Sequence, residues 1–516
     1  MLSKRDSLSW TDASGNVYYY YQRPMMNAVI FILLQELCER LAFYGISPNA
    51  QTFLKEYLGY TDVQANSYIA TFQAILYVTP LFAAVLADTV LGVYTTILSF
   101  SLLYMAGLVL LVVSSVKSIS QPWMVHLSLL VLITIGGGGI KSCVNVMGAY
   151  QFHPEYHKDG ITKYYTYFYA SINVGSLIGG IATPIALQEA NFTVALIIPL
   201  VAFFVATLSF VVGGLLGRFV KAKPQGSAVL KILQVMISSV RKCSLEKNKK
   251  SRGGQYDDGF IEDVKALLRL VPLFCLIIPF VIAYVNLSTA YLTQAQKMNR
   301  RTFNFEIPPA LMVNVDPIAV VINSLIISSL LYPMLKKRGI VLPVLVRSFI
   351  GSKLGIVSLV CATIVELQIK SNPLFTVSIW WQVPQFWIVA AGEIFLISTS
   401  YEIAFTFSPS SLKAVASAVN LLFFAVGYAL AGVIFQLCSP WLPDFDPRNP
   451  TVKSHKGAHY ENFYAVLIAL CFIGAIACLA LIPYFKRVTR DITPERVASC
   501  QSGELMKDED EKKDST

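Results

Sequence analysis

Three charged residues interrupt a long uncharged run near the start of the chain. Glu36, Glu39 and Arg40 are the only charged side chains between residues 24 and 54. Their i, i+3, i+4 spacing predicts a shared face of one helix, on which Tyr44 also lies. A charged side chain in the middle of a bilayer costs at least ~2.5–3.5 kcal/mol, so three are expected only where they pair with one another, with other helices or with a solute. The pattern therefore indicates a transport pathway.

The composition is typical of a polytopic membrane protein. Of the 516 residues, 55% are hydrophobic and only 14% are charged, whereas about a quarter of the residues of soluble proteins are charged. The net charge of +10 does not indicate nucleic-acid binding, because the basic residues lie in polar gaps between apolar runs, as in membrane proteins. The nine cysteines show no metal-ligand spacing, so we expect no metal site and no disulfide scaffold.

Apolar runs of about 20 residues, the length that crosses a bilayer, occur six times on either side of a basic segment at 218–263. Six plus six runs around such a linker resemble the two-bundle architecture of the major facilitator class. We therefore predict an all-α membrane protein with twelve transmembrane helices in two six-helix bundles. The predicted spans are residues 26–50, 66–87, 94–116, 125–149, 164–186, 194–217, 265–292, 311–335, 341–367, 376–405, 412–438 and 462–485.

Basic residues concentrate in alternate loops, which predicts that these loops and both termini are cytoplasmic. The loop after Cys438 and the Asn191-Phe192-Thr193 sequence then lie on the outer or luminal side, where N-glycosylation of Asn191 is expected. The predicted segments are a cytoplasmic N-terminal segment at 1–25, an N-terminal bundle at 26–217, a basic cytoplasmic linker at 218–263, a C-terminal bundle at 264–487 and a disordered cytoplasmic tail at 488–516.

Six short segments of the chain match a known set of motifs in the same order. The segments are Glu36 with Glu39-Arg40; Leu86-Ala87-Asp88 with Gly92-Val93-Tyr94 (ADxxxGRY); Gly138-Gly139-Ile140-Lys141 with Gln151-Phe152 (GGIKP…GGDQF); Phe168-Tyr169 to Ile172-Asn173 and Gly175-Ser176-Leu177 (FYxxINxGSL); Trp381 with Pro384-Gln385-Phe386 and Glu393 (WxxPQ[YF]…E); and Pro409 to Lys413 (PxxMK). Each is a weak signal alone, but together they identify the region from Glu36 to Lys413 as similar to the proton-coupled oligopeptide transporter family. The resemblance implies the major facilitator fold and secondary active transport, without enzymatic activity.

The first-span charges are suited to proton coupling. Burial raises the pKa of a carboxyl group and a nearby cation lowers it, so Glu36 or Glu39 could load and release a proton. Lys141 is the only charge of the fourth predicted span, and its pairing with either carboxylate would be sensitive to protonation. The resemblance assigns Arg40 and Lys141 to coupling and to recognition of a substrate carboxylate. The alternative is a static buried ion pair that fixes helix packing.

A zwitterionic substrate also requires an acid at its other end. Glu402 interrupts the tenth predicted span, and the resemblance assigns it the substrate's amino terminus; the alternative is a solvated residue near a helix end. The resemblance also places Tyr44 and Asn173 in the substrate pocket. Asp316, an intramembrane acid of the eighth span, is expected to face the cavity, whereas the role of Glu393 stays open.

The chain departs from the family at the outer gate. Ser47 stands where related peptide transporters have an arginine, and residues 283–289 contain no ionisable group except Tyr284. We therefore expect the outer gate to close by neutral contacts. The segment Tyr284-x-Asn286-x-Ser288-Thr289 resembles the YxQxST pattern of the peptide/histidine and nitrate/peptide branches, which makes Asn286 a candidate substrate contact.

Four further departures concern the cytoplasmic loops and the pocket. Val93 replaces the basic residue of the ADxxxGRY motif, and Ala149-Tyr150 replaces the Gly-Asp that usually precedes Gln151. The first cytoplasmic loop is thereby expected to lack a charge pair with Asp88. Phe43 and Phe72 stand where peptide-transporting members often have tyrosine, which predicts a more apolar pocket.

The sequence therefore predicts a proton-coupled symporter of di- and tripeptides or similar small zwitterions, acting by alternating access in a plasma or endolysosomal membrane. One alternative is the same fold transporting nitrate, histidine or another small metabolite, and another is a membrane peptide sensor or scaffold without transport. We expect no cofactor other than the coupling proton. The expected partners are a small peptide and the lipid bilayer, with a monomeric transport unit and no nucleic acid.

Overall fold

The computed structural model describes residues 7–11, 16–224, 226–242, 244–340, 342–409 and 412–490. Most of the predicted tail at 488–516 therefore lies outside the described residues. Within them the chain is mostly helical, with two short antiparallel hairpins. β1 (Ser7–Thr11) pairs with β2 (Val17–Tyr21), and β3 (Arg301–Thr302) pairs with β4 (Phe305–Glu306).

The helix boundaries of the first half follow local sequence signals. Thr61 forms a capping box with Gln64, in which each side chain accepts a hydrogen bond from the other residue's backbone N–H. Gly92 has a φ of 73°, a conformation favoured by glycine that separates two long helices. The helices are α1 (Ile30–Ile46), α2 (Ala50–Leu58), α3 (Asp62–Leu86), α4 (Gly92–Ser114), α5 (Pro122–His126), α6 (Thr134–Ala149), α7 (Lys158–Glu189) and α8 (Phe192–Leu215).

The second half is preceded by a helix that the sequence analysis did not predict. α9 (Ala228–Lys242) lies in the basic linker, and its Ile232 and Val235 pack with Ile261 and Val264 of the next helix. The helices that follow are α10 (Asp258–Phe274), α11 (Ile278–Tyr284), α12 (Ala290–Gln296), α13 (Val315–Ile326), α14 (Tyr332–Lys337), α15 (Val344–Ser371), α16 (Val383–Thr406), α17 (Lys413–Leu437), α18 (Val452–His455), α19 (Tyr460–Ala480) and α20 (Ile482–Arg490).

Short 3-10 or π-helical turns extend or join these helices. They are Met25–Val29, Ser47–Asn49, Ala87–Leu91, Leu127–Ile133, Glu246–Asn248, Lys250–Arg252, Cys275–Ile277, Val285–Ser288, Pro309–Asn314, Ile327–Leu331, Ile379–Gln382 and Ser439–Trp441.

Each half has its own apolar core, and the most extensive contact between the halves is made by α3 and α17. Tyr104 and Phe203 lie in the core of the first half, whereas Phe280 and Phe386 lie in that of the second. Val63, Ala70 and Ala74 of α3 belong to the second core, because α3 packs against α17. This contact places the space between the halves beside α1, α3 and α6.

The described residues contain ten helical stretches that are long and apolar enough to span a membrane. One of them, Asp62–Ser114, contains both α3 and α4. α1, which carries Glu36, Glu39 and Arg40, is not among the ten. The structure thus confirms an all-α membrane fold, while the count of twelve spans stays a prediction.

Candidate functional site

Glycines of α7 allow a very close approach to α1. A Cβ atom at Gly175 would collide with the carbonyl oxygen of Leu37, and one at Gly179 with that of Leu41. The FYxxINxGSL resemblance therefore has a direct packing explanation at its glycine. Because α1 lies against α7 at this distance, its charged face is held in a fixed orientation toward the other helices.

The predicted charge cluster forms on α1. Arg40 Nε lies 3.3 Å from Glu36 Oε1, and Arg40 Nη2 contacts Glu39 Oε2. The exposed fractions of Glu36, Glu39 and Arg40 are only 4%, 1% and 7%. Gly137 of α6 lies beside this cluster, since a Cβ atom there would be 3.7 Å from Glu39 Oε1, an ordinary contact distance. Two carboxylates thus share one guanidinium in a buried site.

Lys141 of α6 lies near this cluster without joining it. Its Nζ atom is 4.3 Å from the centroid of the Tyr77 ring. Among the described residues, no carboxylate oxygen lies within 4.0 Å of that nitrogen. The proposed pair of Lys141 with Glu36 or Glu39 is therefore not formed in this conformation, and the ammonium is available to another partner.

A cavity of about 90 Å³ between the two halves contains most of the predicted substrate contacts. Arg40, Tyr44 and Lys141 reach it from the first half, and Asp316 reaches it from the second. We call it the central cavity. The lining residues are Arg40, Phe43, Tyr44, Ser47, Pro48, Gln73, Leu76, Tyr77, Lys141, Tyr284, Val285, Leu287, Ser288, Val313, Asp316, Pro317 and Tyr428.

Two carboxylates converge on one hydroxyl at the second-half wall. Tyr284 donates a hydrogen bond of 3.2 Å to Asp316 Oδ2, and Glu393 of α16 lies close to the same tyrosine. Asp316 Oδ1 and Glu393 Oε2 are buried and have no hydrogen-bond partner among the described residues. The sequence analysis left the role of Glu393 open, although an acid in the middle of an apolar helix was the available signal.

Three predicted substrate contacts, Glu402, Asn173 and Asn286, do not line the central cavity. Glu402 Oε1 lies 2.7 Å from Arg347 Nη2 on α15, so the second half itself supplies its counter-charge. Asn173 donates to the carbonyl of Tyr169 at 2.8 Å. Asn173 and Glu402 thus have intramolecular partners in this conformation, and neither lines the central cavity. Their roles in substrate binding stay predictions.

Asn286 is fully buried, and its Nδ2 atom donates to the carbonyl oxygens of Ile282 and Ala283 at 3.1 and 2.9 Å. Its donor group is therefore used within its own helix. Its Oδ1 atom is buried and has no hydrogen-bond partner among the described residues. The predicted substrate contact of Asn286 therefore stays a prediction.

A second charged cluster joins the halves at the end that is predicted to be external. Asp62, whose exposed fraction is 0%, accepts hydrogen bonds from Lys55 Nζ at 2.7 Å and from Phe445 N at 2.9 Å. Lys55 Nζ also donates to the Phe445 carbonyl at 2.8 Å and lies 3.4 Å from Asp444 Oδ1. We call Lys55, Asp62, Asp444 and Phe445 the outer network. The expectation that this end closes by neutral contacts alone was wrong. The sequence analysis considered Ser47 and residues 283–289, whereas these charges lie in loops and helix ends outside those positions.

Neutral hydrogen bonds between the halves lie at the same end. Gln51 donates to Thr293 at 2.8 Å, and Asn314 donates to the carbonyl of Gly180 at 2.7 Å. The opposite end is formed by the C-terminal ends of α6 and α16 and the N-terminal ends of α7 and α17. Between the described residues of these helix ends we find no hydrogen bond that joins the two halves. The central cavity is therefore closed toward the predicted outer side.

Comparisons with known proteins agree with this arrangement. The sequence profile of the POT family matches residues 94–442. The chain is 31% identical to Protein NRT1/PTR FAMILY 8.5 of Arabidopsis thaliana over 554 aligned positions, which cover 90% of this chain and 92% of that protein. It is 29% identical to solute carrier family 15 member 1 of Rattus norvegicus over 378 positions, which cover 67% of this chain and 53% of that protein.

A solved structure has the same fold. The crystal structure of an auto-inhibited POT family peptide transporter superposes with a TM-score of 0.73 at 24% identity, covering 89% of this chain and 96% of that chain.

Proposed function

Because this chain belongs to the POT family, we propose that it is a proton-coupled symporter of di- and tripeptides or similar small zwitterions. It is a multi-pass integral membrane transporter, and its substrate is a small molecule. Alternating access moves that substrate between the two halves. We propose no catalytic chemistry and no cofactor besides the coupling proton.

The arrangement of charge around the central cavity carries this proposal. Cationic groups, Arg40 and Lys141, line it from the first half, whereas Asp316 lines it from the second, with Glu393 beside the same Tyr284 hydroxyl. A peptide presents a carboxylate at one end and an ammonium group at the other. Charge-assisted hydrogen bonds at both ends would therefore orient it across the interface of the halves.

Lys141 is the better placed cation for the substrate carboxylate. Arg40 already contacts Glu36 and Glu39, whereas Lys141 Nζ lies only against the Tyr77 ring. The second-half carboxylates have unpartnered oxygens, which an ammonium group can satisfy. Binding thus supplies partners to buried groups that lack them in this conformation.

The excess of acidic over basic groups around the central cavity supports the proposed proton coupling. Among the described residues, the four buried carboxyl groups Glu36, Glu39, Asp316 and Glu393 lie near two basic side chains, Arg40 and Lys141. Excess negative charge within a membrane is costly, so uptake of protons by these carboxyl groups stabilises the site. A zwitterionic substrate adds no net charge, so its ammonium group pairs with one of the second-half carboxylates, while protons are held by other carboxyl groups of the site, including Glu36 or Glu39.

The dimensions of the central cavity favour small substrates. Its volume of about 90 Å³ is below the ~300–1,000 Å³ of pockets for drug-sized ligands, so the halves must separate to admit a peptide. Phe43 and Phe72 stack with ring centroids 6.1 Å apart, which gives one wall an apolar character. We expect dipeptides with small apolar side chains to be taken up best.

A second candidate is nitrate or histidine transport, which the similarity to an NRT1/PTR family protein favours. The second-half carboxylates argue against nitrate, because an anion offers no positive group to Asp316 or Glu393. Histidine retains both charged ends and fits the same arrangement. A sensor without transport would bind dipeptide saturably but would not accumulate it.

We further propose that both termini are cytoplasmic, in a plasma or endolysosomal membrane, and that the transport unit is a monomer. Asn191 is exposed and its Oδ1 caps α8 by accepting from Val194 N at 3.0 Å, which leaves its amide nitrogen accessible to a glycan. A glycosidase-sensitive shift in mobility that is lost in Asn191→Gln tests the orientation.

Uptake of labelled dialanine into proteoliposomes tests the proposed function, with nitrate and histidine measured in parallel. We expect dialanine to accumulate only with an inward proton gradient and to be released by an uncoupler. Accumulation of nitrate or histidine alone would retain the transport mechanism and overturn the peptide substrate. Saturable dialanine binding without accumulation would overturn transport itself.

A further inference from the structure

A larger cavity lies at the end opposite the outer network, under the hairpin of β1 and β2. Its volume is about 360 Å³, which is within the range of ~300–1,000 Å³ of small-molecule sites. We call it the hairpin cavity. It is lined by Trp10, Tyr18, Tyr20, Ala87, Asp88, Gly92, Val93, Tyr150, Val220, Ala222, Lys223, Pro224, Gly226 and Ala228.

Two residues that differ from the family motifs line this cavity, and the proposed transport mechanism does not explain either difference. Val93 stands where the ADxxxGRY motif has a basic residue, and Tyr150 stands where the GGDQF motif has an acid. At these two positions the chain thus has an apolar and an aromatic side chain in place of a basic and an acidic one. Asp88 is retained beside them.

The hairpin is fixed above the cavity by specific contacts. Tyr20 is buried, and its ring lies edge-on to His153 with a centroid distance of 5.4 Å. The guanidinium carbon of Arg218 lies 5.8 Å from the centroid of the Tyr21 ring. These contacts hold the aromatic side chains of Trp10 and Tyr18 on the cavity side of the hairpin.

Asp88 lies among these aromatic residues without a cation of its own. Among the described residues, no basic nitrogen lies within 4.0 Å of its carboxylate. Lys223 is the basic residue of the lining, and its Nζ atom donates to Asn16 Oδ1 at 2.9 Å. Partial burial, together with the nearby Asp88 carboxylate and Tyr18, raises the pKa of Tyr150, so these three groups lie close to one another.

We propose that the hairpin cavity binds a small organic ammonium ion, with the aromatic rings around the cation and Asp88 as its counter-charge. Aromatic faces attract a desolvated cation through the ring quadrupole, and quaternary ammonium groups are bound in such cages. Asp88 and Tyr150 are exposed at this cavity, so a ligand can reach both from solvent. One carboxylate beside aromatic side chains favours a monovalent cation of low charge density over a metal ion, which would require several oxygen ligands. The site is separate from the central cavity and does not depend on the transported substrate.

The test uses the full-length protein in nanodiscs of phosphatidylglycerol, a lipid without an ammonium headgroup. Choline is titrated by calorimetry, and its uncharged isostere 3,3-dimethyl-1-butanol is titrated in parallel. We expect saturable choline binding and at least tenfold weaker binding of the isostere. Equal affinities, or no binding of choline, would overturn the proposal.

Variants locate the site. Asp88→Asn should weaken choline binding at least tenfold, and Val93→Arg should do the same because it places a basic group beside Asp88. Val93→Leu is the matched control and should bind as the wild type does. Trp10→Ala, which changes only the hairpin, should also weaken binding while the thermal unfolding temperature is unchanged; unchanged choline affinity in Asp88→Asn and Trp10→Ala would place the binding elsewhere and overturn the proposal.

A second set of nanodiscs distinguishes the source of the ligand. If phosphatidylcholine lowers the apparent affinity for free choline in the wild type, the lipid headgroup occupies the same site. If it has no effect, the ligand is a soluble ammonium compound. Either result is consistent with an ammonium-binding site and shows whether its ligand is a lipid headgroup or a soluble compound.

Discussion

The outer network and the central cavity both contain buried charges at the interface of the two halves, but they differ in how completely those charges are paired. In the outer network, Asp62 accepts from Lys55 Nζ and from Phe445 N, and Lys55 also donates to the Phe445 carbonyl. In the central cavity, Asp316 and Glu393 each retain a buried oxygen without a partner among the described residues.

This difference separates a structural role from a binding role. Buried polar groups with partners stabilise the one arrangement in which those partners meet, whereas an unpartnered buried group costs ~1–3 kcal/mol until something supplies the missing hydrogen bond. The outer network therefore stabilises the closed outer end. Under the proposed function, the unpartnered oxygens of the central cavity receive a proton and the substrate's ammonium group, which are not part of the chain.

The largest expected effect is at Lys141. Lys141→Ala removes one of the two cationic groups that oppose four carboxyl groups, and loss of one partner from a buried charged site costs roughly 3–5 kcal/mol. We expect proton-driven dialanine uptake to fall at least ~100-fold. Lys353→Ala is the matched control, because Lys353 is also a lysine of a long helix, with its Nζ atom 4.6 Å from the Phe349 ring centroid. Proton-driven uptake that survives in Lys141→Ala would contradict the mechanism.

Glu393 and Glu402 lie on the same helix, one beside the central cavity and one outside it. Substituting each in turn therefore tests which of the two acids binds the substrate. Glu393→Gln should raise the KM for dialanine ~10- to 100-fold, since a hydrogen bond to a charged group contributes about 1.5–3 kcal/mol. Glu402→Gln should change it less than ~3-fold, because partly exposed ion pairs such as Arg347 with Glu402 contribute about 0–1 kcal/mol.

N-acetyl dialanine, which lacks the ammonium group, sharpens this comparison. The wild type should discriminate against it strongly, and Glu393→Gln should lose most of that discrimination. A larger loss in Glu402→Gln than in Glu393→Gln would return the amino-terminal contact to Glu402.

At the outer network, Asp62→Asn tests whether the charges hold the halves together. The isosteric amide keeps the shape but loses the charge opposite Lys55, so the open population should rise ~10-fold. A cysteine at Ser288, which lines the central cavity, reports opening through its rate of labelling by an impermeant maleimide in sealed vesicles with the outer face exposed. Labelling of the Asp62→Asn chain without Ser288→Cys gives the background from the native cysteines.

Glu56→Gln is the control for Asp62→Asn. It removes an ion pair at the same end, Lys117 with Glu56 at 2.6 Å, but Lys117 is exposed and both residues belong to the first half. Labelling should not change. Equal effects of Glu56→Gln and Asp62→Asn would attribute the opening to general electrostatics at this end and not to the outer network.

The smallest effect is expected at Asn173. Its side-chain nitrogen donates to the carbonyl of Tyr169 on its own helix, so Asn173→Ala should change the KM for dialanine less than ~3-fold. Uptake measured over a range of dialanine concentrations checks this value. A tenfold increase in KM would show that Asn173 leaves its helix to bind the peptide, as the family resemblance implies.

The sequence predicted those features that depend on local periodicity. The shared face of Glu36, Glu39 and Arg40 follows from helical spacing, and the structure confirms that the three side chains are buried together. The all-α membrane fold was likewise predictable from apolar runs. β2, with four consecutive tyrosines, had a strand signal in its aromatic composition, but it was considered only as a polar N-terminus.

Features that depend on the register between helices could not be predicted in this way. The convergence of Glu393 and Asp316 on Tyr284 is fixed by the packing of three separate helices. Phe445 enters the outer network through its backbone N–H and carbonyl groups, which any residue carries, so its side-chain type gave no signal.

The coupling of proton to peptide can be measured without any imposed pH gradient. Proteoliposomes containing the pH-sensitive dye pyranine are given an inward dialanine gradient, with potassium and valinomycin holding the membrane potential at zero. If dialanine enters together with a proton, the lumen acidifies, and the rate of acidification saturates with dialanine and is lost in Lys141→Ala. Dialanine entry at the wild-type rate with no change in luminal pH would contradict the central claim that the buried carboxyl groups carry a proton with the peptide.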